Sequence, residues 1–194
     1  MTPEQITDIR RKMRMNKQQF AEQLGVRPEA VTRYEAGQRP PTESVNQKLT
    51  ALATRLEELS QPHFMKSCVY QDNRGVLRVW GDLPFPVVRT FSIEKVPQGE
   101  TRGKHAHKTC DQVISSVVGS FRLLLSWQDG SHWTFDVKEG FSVYVPRMTW
   151  IRLTRFSTDA VAYVLCTETY YPENDYTDRS QIFREGVDFG NSVP

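Results

Sequence analysis

The hydrophobic periodicity of this chain changes near residue 60, and this change limits the possible folds more than any other feature of the sequence. Over residues 1–60 the apolar side chains recur at the three- and four-residue spacing of amphipathic helices. From residue 66 onward, short runs of β-branched and aromatic residues are punctuated by glycine and proline. The sequence therefore predicts a two-domain α + β chain, with an all-α domain before an all-β domain.

The helical half carries start and stop signals for four helices. Thr2 and Asn16 each precede a glutamine by three positions, which is the spacing of a capping box. Gly25 and Gly37 are predicted to end the second and third helices, because glycine suits the residue after a helix. Thr42 is predicted to start the fourth helix. The predicted boundaries are 1–60 for the helical domain, 61–66 for a linker and 67–194 for the β domain.

The β half contains about eight short strands at regular spacing, which is typical of a closed sandwich or barrel. The Asp129-Gly130 pair predicts a hairpin turn, because these residues tolerate the positive φ of a tight turn. The predicted strands cover residues 76–80, 87–93, 112–118, 121–127, 133–137, 141–145, 149–153 and 161–166.

Composition excludes several classes of protein. No apolar stretch approaches the roughly 18 residues of a membrane helix. The first residues also lack the pattern of a signal peptide. Cys68, Cys110 and Cys166 form no CxxC pair, which argues against a disulfide scaffold or a zinc ribbon. A cytoplasmic protein without a membrane partner is expected, and the net charge of +2 is too small to indicate nucleic acid by itself.

Residues 16–37 hold small and apolar side chains where two packed helices need them. Ala21 lets the helices approach closely, and Gly25 permits the turn between them. With Val26, Val31 and the Glu35-x-Gly37 exit, the segment resembles the helix-turn-helix of the phage-repressor/Cro (XRE) family over about residues 3–58. The resemblance implies that the second helix of the motif lies in the major groove of double-stranded DNA.

Outward side chains of this motif are predicted to contact DNA. Arg33 is placed to bind guanine, and Glu29 to accept a hydrogen bond from cytosine. A dimer on a two-fold site is expected, because one copy offers too little surface for tight binding. The alternative is a helical packing or dimerisation module. The full predicted DNA-contacting set is Lys17, Gln18, Arg27, Glu29, Thr32, Arg33 and Arg39.

The segment Arg102-Gly103-Lys104-His105-Ala106-His107 is the strongest candidate for a ligand site. On a strand, His105 and His107 point to the same face, so both imidazoles enter one space. Arg102 adds a cation three residues earlier. Such a cluster suits an anionic ligand, a metal ion or proton transfer.

The spacing around this segment resembles the two motifs of the cupin family, which implies a double-stranded β-helix, or jelly roll. Gln112 stands at the family's glutamate position, and Ile151 stands at the position of its last histidine. Two imidazoles and a neutral amide bind transition metals weakly. The sequence therefore predicts neither a metal nor another cofactor.

Six further motifs stand in order along the β half: Arg74-Gly75-x-Leu77, Pro84 to Arg89, Arg102 to Lys108, Gln112, Val118 to Ser120, and Tyr171-x-x-x-Asp175-Tyr176. Together they resemble the nucleotide-sugar 3,4-ketoisomerases of the WxcM-like type, which act on dTDP-4-keto-6-deoxyglucose and are metal-free dimeric cupins. The resemblance implies that Arg89 and Arg102 face the sugar nucleotide, that His105 and His107 are the acid–base candidates, and that Gln112 lines the same pocket.

Two departures from that family shift the predicted function from catalysis towards binding. Phe91 lacks the hydroxyl of the family's tyrosine, and Ile151 replaces a histidine, while both arginines remain. We therefore predict a homodimeric transcriptional regulator whose cupin senses a nucleotide sugar or a related anionic small molecule. Two alternatives stay open: a metal-independent 3,4-ketoisomerase with a DNA-binding head, and a cupin that serves only in dimerisation.

Overall fold

The structure, a computed structural model, describes residues 1–13, 15–81, 83–127 and 129–182. The chain divides into two units, Met1–Ser60 and Gln61–Pro194, which we name the α unit and the β unit. Residues 183–194, the end of the predicted second domain, lie outside the described residues, as does Gln128 in the predicted hairpin turn.

Capping signals place the helices of the α unit. Thr2 and Asn16 each accept a hydrogen bond from the backbone of the glutamine three residues later, whose side chain bonds back to the cap. Gly25 ends the second helix at φ +70°, a backbone conformation that residues other than glycine rarely adopt. The four predicted helices are confirmed as α1 (Pro3–Lys12), α2 (Lys17–Leu24), α3 (Pro28–Glu35) and α4 (Glu43–Glu58).

The helices of the α unit share one apolar core. Phe20, Ala21 and Leu24 of α2 pack with Val31 of α3 and Leu49 of α4 in a single buried cluster. Burying each large side chain of this kind stabilises the fold by about 1.5–3 kcal/mol. In the described part of the chain, no helix combines the length and the apolar character needed to cross a membrane.

Two five-stranded antiparallel sheets and one hairpin make up the described β unit. The first sheet has the order β1-β9-β6-β11-β4, the second has the order β12-β5-β10-β7-β8, and β2 pairs only with β3. The strands are β1 (His63–Lys66), β2 (Cys68–Asp72), β3 (Gly75–Val79), β4 (Arg89–Glu94), β5 (Arg102–His107), β6 (Gln112–Val118), β7 (Ser120–Ser126), β8 (His132–Lys138), β9 (Phe141–Val145), β10 (Trp150–Thr154), β11 (Val161–Cys166) and β12 (Asp175–Tyr176).

The core of the β unit lies between the two sheets. Ile114 and Val164 of the first sheet pack in one buried cluster with Leu123, Leu125 and Ile151 of the second sheet. These side chains come from alternate strand positions, as expected when one face of each sheet is buried. All eight predicted strands are found within one or two residues of their predicted bounds.

The predicted linker, residues 61–66, is wrong over His63–Lys66. These residues form β1, which pairs antiparallel with β9 from His63 opposite Tyr144 to Lys66 opposite Phe141. The Phe64 ring packs edge-on against Phe135, with ring centroids 4.8 Å apart. A four-residue strand is too short to show a periodic pattern, and its pairing partner lies far away in sequence.

Candidate functional site

A bulge in β5 determines which side chains of this strand share a face. On the neighbouring strand β10, Ile151 pairs with His105 while Leu153 pairs with Arg102, so two steps along β10 match three along β5. Gly103 takes part in the irregularity at φ +84°. Paired residues lie on the same face of a sheet, and Ile151 and Leu153 belong to the core. Arg102 and His105 therefore both face the inside of the sandwich.

His105 and His107 meet at their Nε2 atoms, which lie 3.3 Å apart. His107 is buried, and its Nδ1 lies 2.5 Å from Oδ1 of Asp175. Asp175 reaches this position because β12 pairs with β5 and places it directly opposite His107. The local sequence places Asp175 in a motif but indicates no role for it, because 68 positions separate it from His107.

Hydrogen bonds define the proton positions of His107. Gln112 donates from Nε2 to Nε2 of His107 at 2.9 Å. Nε2 of His107 is therefore the acceptor, and Nδ1 carries the proton that is donated to Asp175. Burial holds the pKa of His107 below its ordinary value, the Asp175 carboxylate opposes this shift, and the neighbouring His105 adds to it. A neutral imidazole backed by a carboxylate is the usual arrangement of a general base.

Arg89 supplies a positive charge near His107, and this charge also lowers the pKa of the imidazole. Its guanidinium carbon lies 5.2 Å from the ring centroids of both Phe91 and Tyr170. Nη2 donates to Sγ of Cys166 at 3.5 Å. Nε is buried and has no hydrogen-bond partner among the described residues. A guanidinium held in this way with an unused donor suits a carboxylate or phosphate ligand.

Gln112 links the arginine to the histidines. Its amide donates both to His107 and, at 3.5 Å, to Sγ of Cys166, the sulfur that Arg89 also contacts. Cys166 sits at this junction because it pairs with Arg89 on one side and with Gln112 on the other. The structure therefore joins four predicted ligand residues in one network: Arg89, His105, His107 and Gln112.

Arg102 stands apart from this network. It shares the inward face of β5 with His105 but is exposed. Within the described ranges of the chain, no hydrogen bond or ion pair holds it. Its predicted role in ligand binding stays a prediction.

Three donor atoms, one each from His105, His107 and Asp175, lie within 4.8 Å of one another, which is the spacing of a metal site. However, the Asp175 oxygen already accepts from His107 Nδ1, where a carboxylate orients an imidazole rather than completing a ligand set. Ile151, at the last cupin ligand position, offers no donor. The side chains present do not fit the three-histidine, one-glutamate set, and the absence of a metal stays a prediction.

Every side chain predicted to contact DNA is exposed on the α unit. Lys17 at the start of α2 lies beside α3, with Nζ 3.3 Å from Oγ1 of Thr32 and 3.7 Å from Oε2 of Glu35. Arg27 precedes α3 without capping it through its side chain. The exposed set is Lys17, Gln18, Arg27, Glu29, Thr32, Arg33 and Arg39. Their contacts with DNA remain predictions.

An ion pair between α1 and α3 holds the helix that presents this face. Nε and Nη2 of Arg10 donate to the two carboxylate oxygens of Glu35 at 2.6 and 3.1 Å. The Glu35 side chain is only 8% exposed. The local sequence places Glu35 at a helix exit, and nothing in that pattern identifies its partner Arg10, 25 residues away.

Two family models match the chain. The model described as WxcM-like, C-terminal matches residues 60–188. A model described as helix-turn-helix matches residues 6–53. These ranges fall on the β unit and the α unit, and they confirm the two resemblances found in the sequence.

Similar proteins share the β unit. A TDP-4-oxo-6-deoxy-alpha-D-glucose-3,4-oxoisomerase of Aneurinibacillus thermoaerophilus is 34% identical over 122 residues, which is 60% of this chain and 85% of that protein. A 3,4-ketoisomerase of Thermoanaerobacterium thermosaccharolyticum, solved in complex with TDP, is 25% identical with a TM-score of 0.59, covering 62% of this chain and 90% of that one. A 3,4-ketoisomerase of Helicobacter canadensis has the same fold, at 22% identity and a TM-score of 0.59, over 62% of this chain and 93% of that one.

Proposed function

We infer the function of this chain from its family: over residues 60–188 it belongs to the WxcM-like, C-terminal family. We propose that the protein is a DNA-binding transcriptional regulator whose β unit binds a TDP-sugar. The observation that carries the proposal is the exposed outer face of α3. Glu29, Thr32 and Arg33 are exposed there, on a helix whose other face is buried. These are side-chain types that read base edges, and the helix-turn-helix match over residues 6–53 supports the same role.

The ligand is proposed from the chemistry of Arg89. Its buried, unpartnered Nε and its stacked guanidinium favour a planar or tetrahedral anion such as diphosphate. A related 3,4-ketoisomerase was solved with TDP. A TDP-sugar combines the diphosphate that Arg89 favours with a sugar that can reach His105 and His107.

A homodimer is part of this proposal. An eight-residue recognition helix such as α3 is only about 12 Å long and reads few base pairs. Two copies on a two-fold operator would double the contacts, as helix-turn-helix proteins commonly do. Sedimentation of the purified protein measures this directly, and a monomer at micromolar concentration would contradict it.

The decisive experiment couples the two activities. An operator selected from random DNA is titrated by fluorescence anisotropy with and without saturating TDP-sugar. We expect operator affinity to change with ligand, and Arg89→Ala to abolish that change while leaving DNA binding intact. Arg74→Ala, at an exposed arginine of the β2–β3 hairpin, is the matched control and should respond like the wild type. If the operator affinity is the same with and without the TDP-sugar, the proposed regulation is refuted, because coupling requires that the ligand bind the free and the DNA-bound protein with different affinity.

A second candidate, a 3,4-ketoisomerase, is favoured by the hydrogen-bonded series His105, His107 and Asp175. In that reaction neutral His107 would take the proton from C3 of a 4-keto sugar, giving an enediolate across C3 and C4, and Asp175 would stabilise the imidazolium formed. Return of a proton to C4, with transfer of the hydroxyl proton from O3 to O4, would complete the isomerisation with no net change of oxidation state. The 34% identical oxoisomerase supports this candidate.

Turnover separates the two candidates. The protein is incubated with dTDP-4-keto-6-deoxyglucose in D2O, and NMR follows the 3-keto isomer and deuterium uptake at the sugar. Isomer formation that both His107→Gln and His105→Asn abolish would establish the enzyme. Binding of TDP without isomer or exchange would leave the regulator.

A further inference from the structure

The β2–β3 hairpin carries an exposed apolar face. Tyr70 pairs with Leu77, and paired residues of a hairpin lie on the same face. Their side chains are 60% and 61% exposed. Because side chains alternate along each strand, the next pair on this face joins Cys68 to Val79, and both residues are exposed. We name these four residues the hairpin face: Cys68, Tyr70, Leu77 and Val79.

The opposite face of the hairpin contacts the rest of the β unit near its base. Arg78 donates from Nη2 to Oε2 of Glu139 at 2.7 Å and from Nε to the carbonyl oxygen of Val117 at 3.2 Å. In the part of the β unit that the structure describes, β2 and β3 pair only with each other. A hairpin of two isolated strands is marginally stable at best in water. A surface packed on the hairpin face would therefore stabilise it.

The hairpin lacks the features that protect exposed strands in monomeric proteins. Those features are charged side chains, above all lysine, together with proline and β-bulges. Neither Cys68–Asp72 nor Gly75–Val79 contains a lysine, a proline or a bulge. The charged residue inside β3, Arg78, is turned towards the β unit. An unprotected strand pair with a contiguous apolar face indicates a surface that another molecule covers.

An apolar groove lies on the outer face of the first sheet. Tyr163 alternates along β11 with the core residues Ala162 and Val164, so it points outward. The Trp80 ring packs beside it, with ring centroids 5.2 Å apart, and Nε1 of Trp80 donates to Oγ of Ser115 at 2.9 Å. The groove has a volume of about 520 Å³. We name its lining residues the sheet groove: Trp80, Leu83, Val87, Val117, Tyr163 and Leu165.

We propose that the hairpin face of one copy of this chain packs into the sheet groove of a second copy, and that the exchange is reciprocal. Four side chains are few beside the roughly 20–30 residues that each partner contributes to a stable interface. A two-fold axis uses both surfaces of both copies, so it buries each apolar surface twice. A different protein would have to match the two surfaces separately. This inference specifies the homodimer of the proposed function and rests on it.

The positions of the two surfaces on one copy suit this exchange. Val117 lines the sheet groove, and its carbonyl oxygen accepts the hydrogen bond from Arg78 of the hairpin. The base of each hairpin therefore adjoins the groove of its own copy. A two-fold axis beside this contact brings each hairpin to the groove of the partner.

Consecutive residues of β3 supply a matched pair of variants. Leu77 and Val76 are both exposed, but they point to opposite faces of the hairpin. Leu77→Lys puts a charge on the hairpin face, and Val76→Lys puts the same charge outside it. Sedimentation velocity over a concentration series should show a dimer for the wild type and for Val76→Lys. Leu77→Lys should weaken dimerisation by at least about 100-fold, because each dimer contains the altered contact twice.

A second pair of variants tests the groove. Val87→Glu puts a carboxylate in the sheet groove and should also give monomers. Mixing Leu77→Lys with Val87→Glu should restore a heterodimer, because one contact then joins lysine to glutamate and the other is unaltered. Recovery on mixing also shows that both variants are folded. If the mixture stays monomeric, or if Val87→Glu dimerises normally, the hairpin does not bind in the groove and the proposal is overturned.

The outcomes separate this inference from the proposed function. A dimeric Leu77→Lys protein would overturn the hairpin contact and leave the homodimer standing. A wild type that stays monomeric at micromolar concentration would overturn both. Calorimetry with TDP tests the proposed ligand independently, since no residue of the hairpin face belongs to the network of Arg89, His105, His107 and Gln112.

Discussion

Asp175 lies 2.5 Å from Nδ1 of His107 and thereby ties the strand β12 to the His-Ala-His strand. Both side chains are almost completely buried, at 8% and 7% exposure. The carboxylate fixes the tautomer of His107 and supports its protonated form, while burial disfavours that form. The proton affinity of His107 is thus the balance of two opposing effects.

Replacing Asp175→Asn should lower the pKa of His107 further. The amide keeps the size of the side chain but removes the negative charge that favours imidazolium. NMR titration of the His107 Cε1–H resonance measures the change. A higher pKa in the variant would show that Asp175 does not act through its charge.

Stability should also report the state of His107. Because its folded pKa lies below the ordinary value of 6.5, the unfolded chain binds more protons than the folded chain. This contribution to stability is present above pH 6.5 and is lost as pH falls through the folded pKa. His107→Gln should flatten the pH dependence of the unfolding free energy in that window. His132→Gln, at an exposed histidine, should leave the slope unchanged.

Two glycines of similar conformation test the bulge in β5. Gly103 (φ +84°) and Gly99 (φ +86°) both have left-handed backbone. Replacing either with alanine would therefore strain the backbone by about 1–2 kcal/mol. A Cβ at Gly103 would also lie 2.7 Å from the Ile151 carbonyl oxygen, whereas one at Gly99 meets nothing within 4 Å. Denaturant unfolding should therefore show a larger loss of unfolding free energy for Gly103→Ala than for Gly99→Ala. Equal losses would mean that a small backbone shift relieves the contact between the new Cβ and the Ile151 carbonyl oxygen.

The DNA face allows a comparison of base and phosphate contacts. Arg33→Ala should cost about 1–3 kcal/mol on the selected operator and relax the preference at one base pair. Arg39→Ala should weaken binding to the operator and to random DNA to a similar degree, and it should reduce the salt dependence of both affinities. Anisotropy titrations on both DNAs measure these losses of affinity. An Arg33 variant that loses the same affinity for the operator and for random DNA would count against base recognition.

Removing the buried carboxylate Glu35 should destabilise the α unit. Glu35→Gln leaves the Arg10 guanidinium without its charged partner. Because the pair is only partly buried, the cost should lie between the ~1 kcal/mol of an exposed pair and the ~3–5 kcal/mol of a fully buried one. The exposed Asp8–Lys12 pair is the control, and Asp8→Asn should change the unfolding free energy little. A Glu35 variant as stable as the control would show that packing alone holds α3.

Elements stabilised by nearby residues could be predicted from the sequence. The capping boxes at Thr2 and Asn16 and the left-handed Gly25 each depend on hydrogen bonds within three or four residues, so their pattern is complete in a short window. The eight strands show the same local character. The His-Ala-His spacing likewise places two side chains on one face without reference to any distant strand.

The tertiary structure decided which residues of these local elements contact one another. His107 contacts Asp175 across 68 positions, Arg89 contacts Cys166 across 77, and Gln112 contacts Cys166 across 54. Each contact depends on the register between strands, where a slip of one residue would turn the side chain to the opposite face. The sequence by itself determined the two domains and the candidate residues. Long-range strand pairing, which no local window contains, decided that β1 is a strand and that Arg89 and Gln112 meet at the sulfur of Cys166.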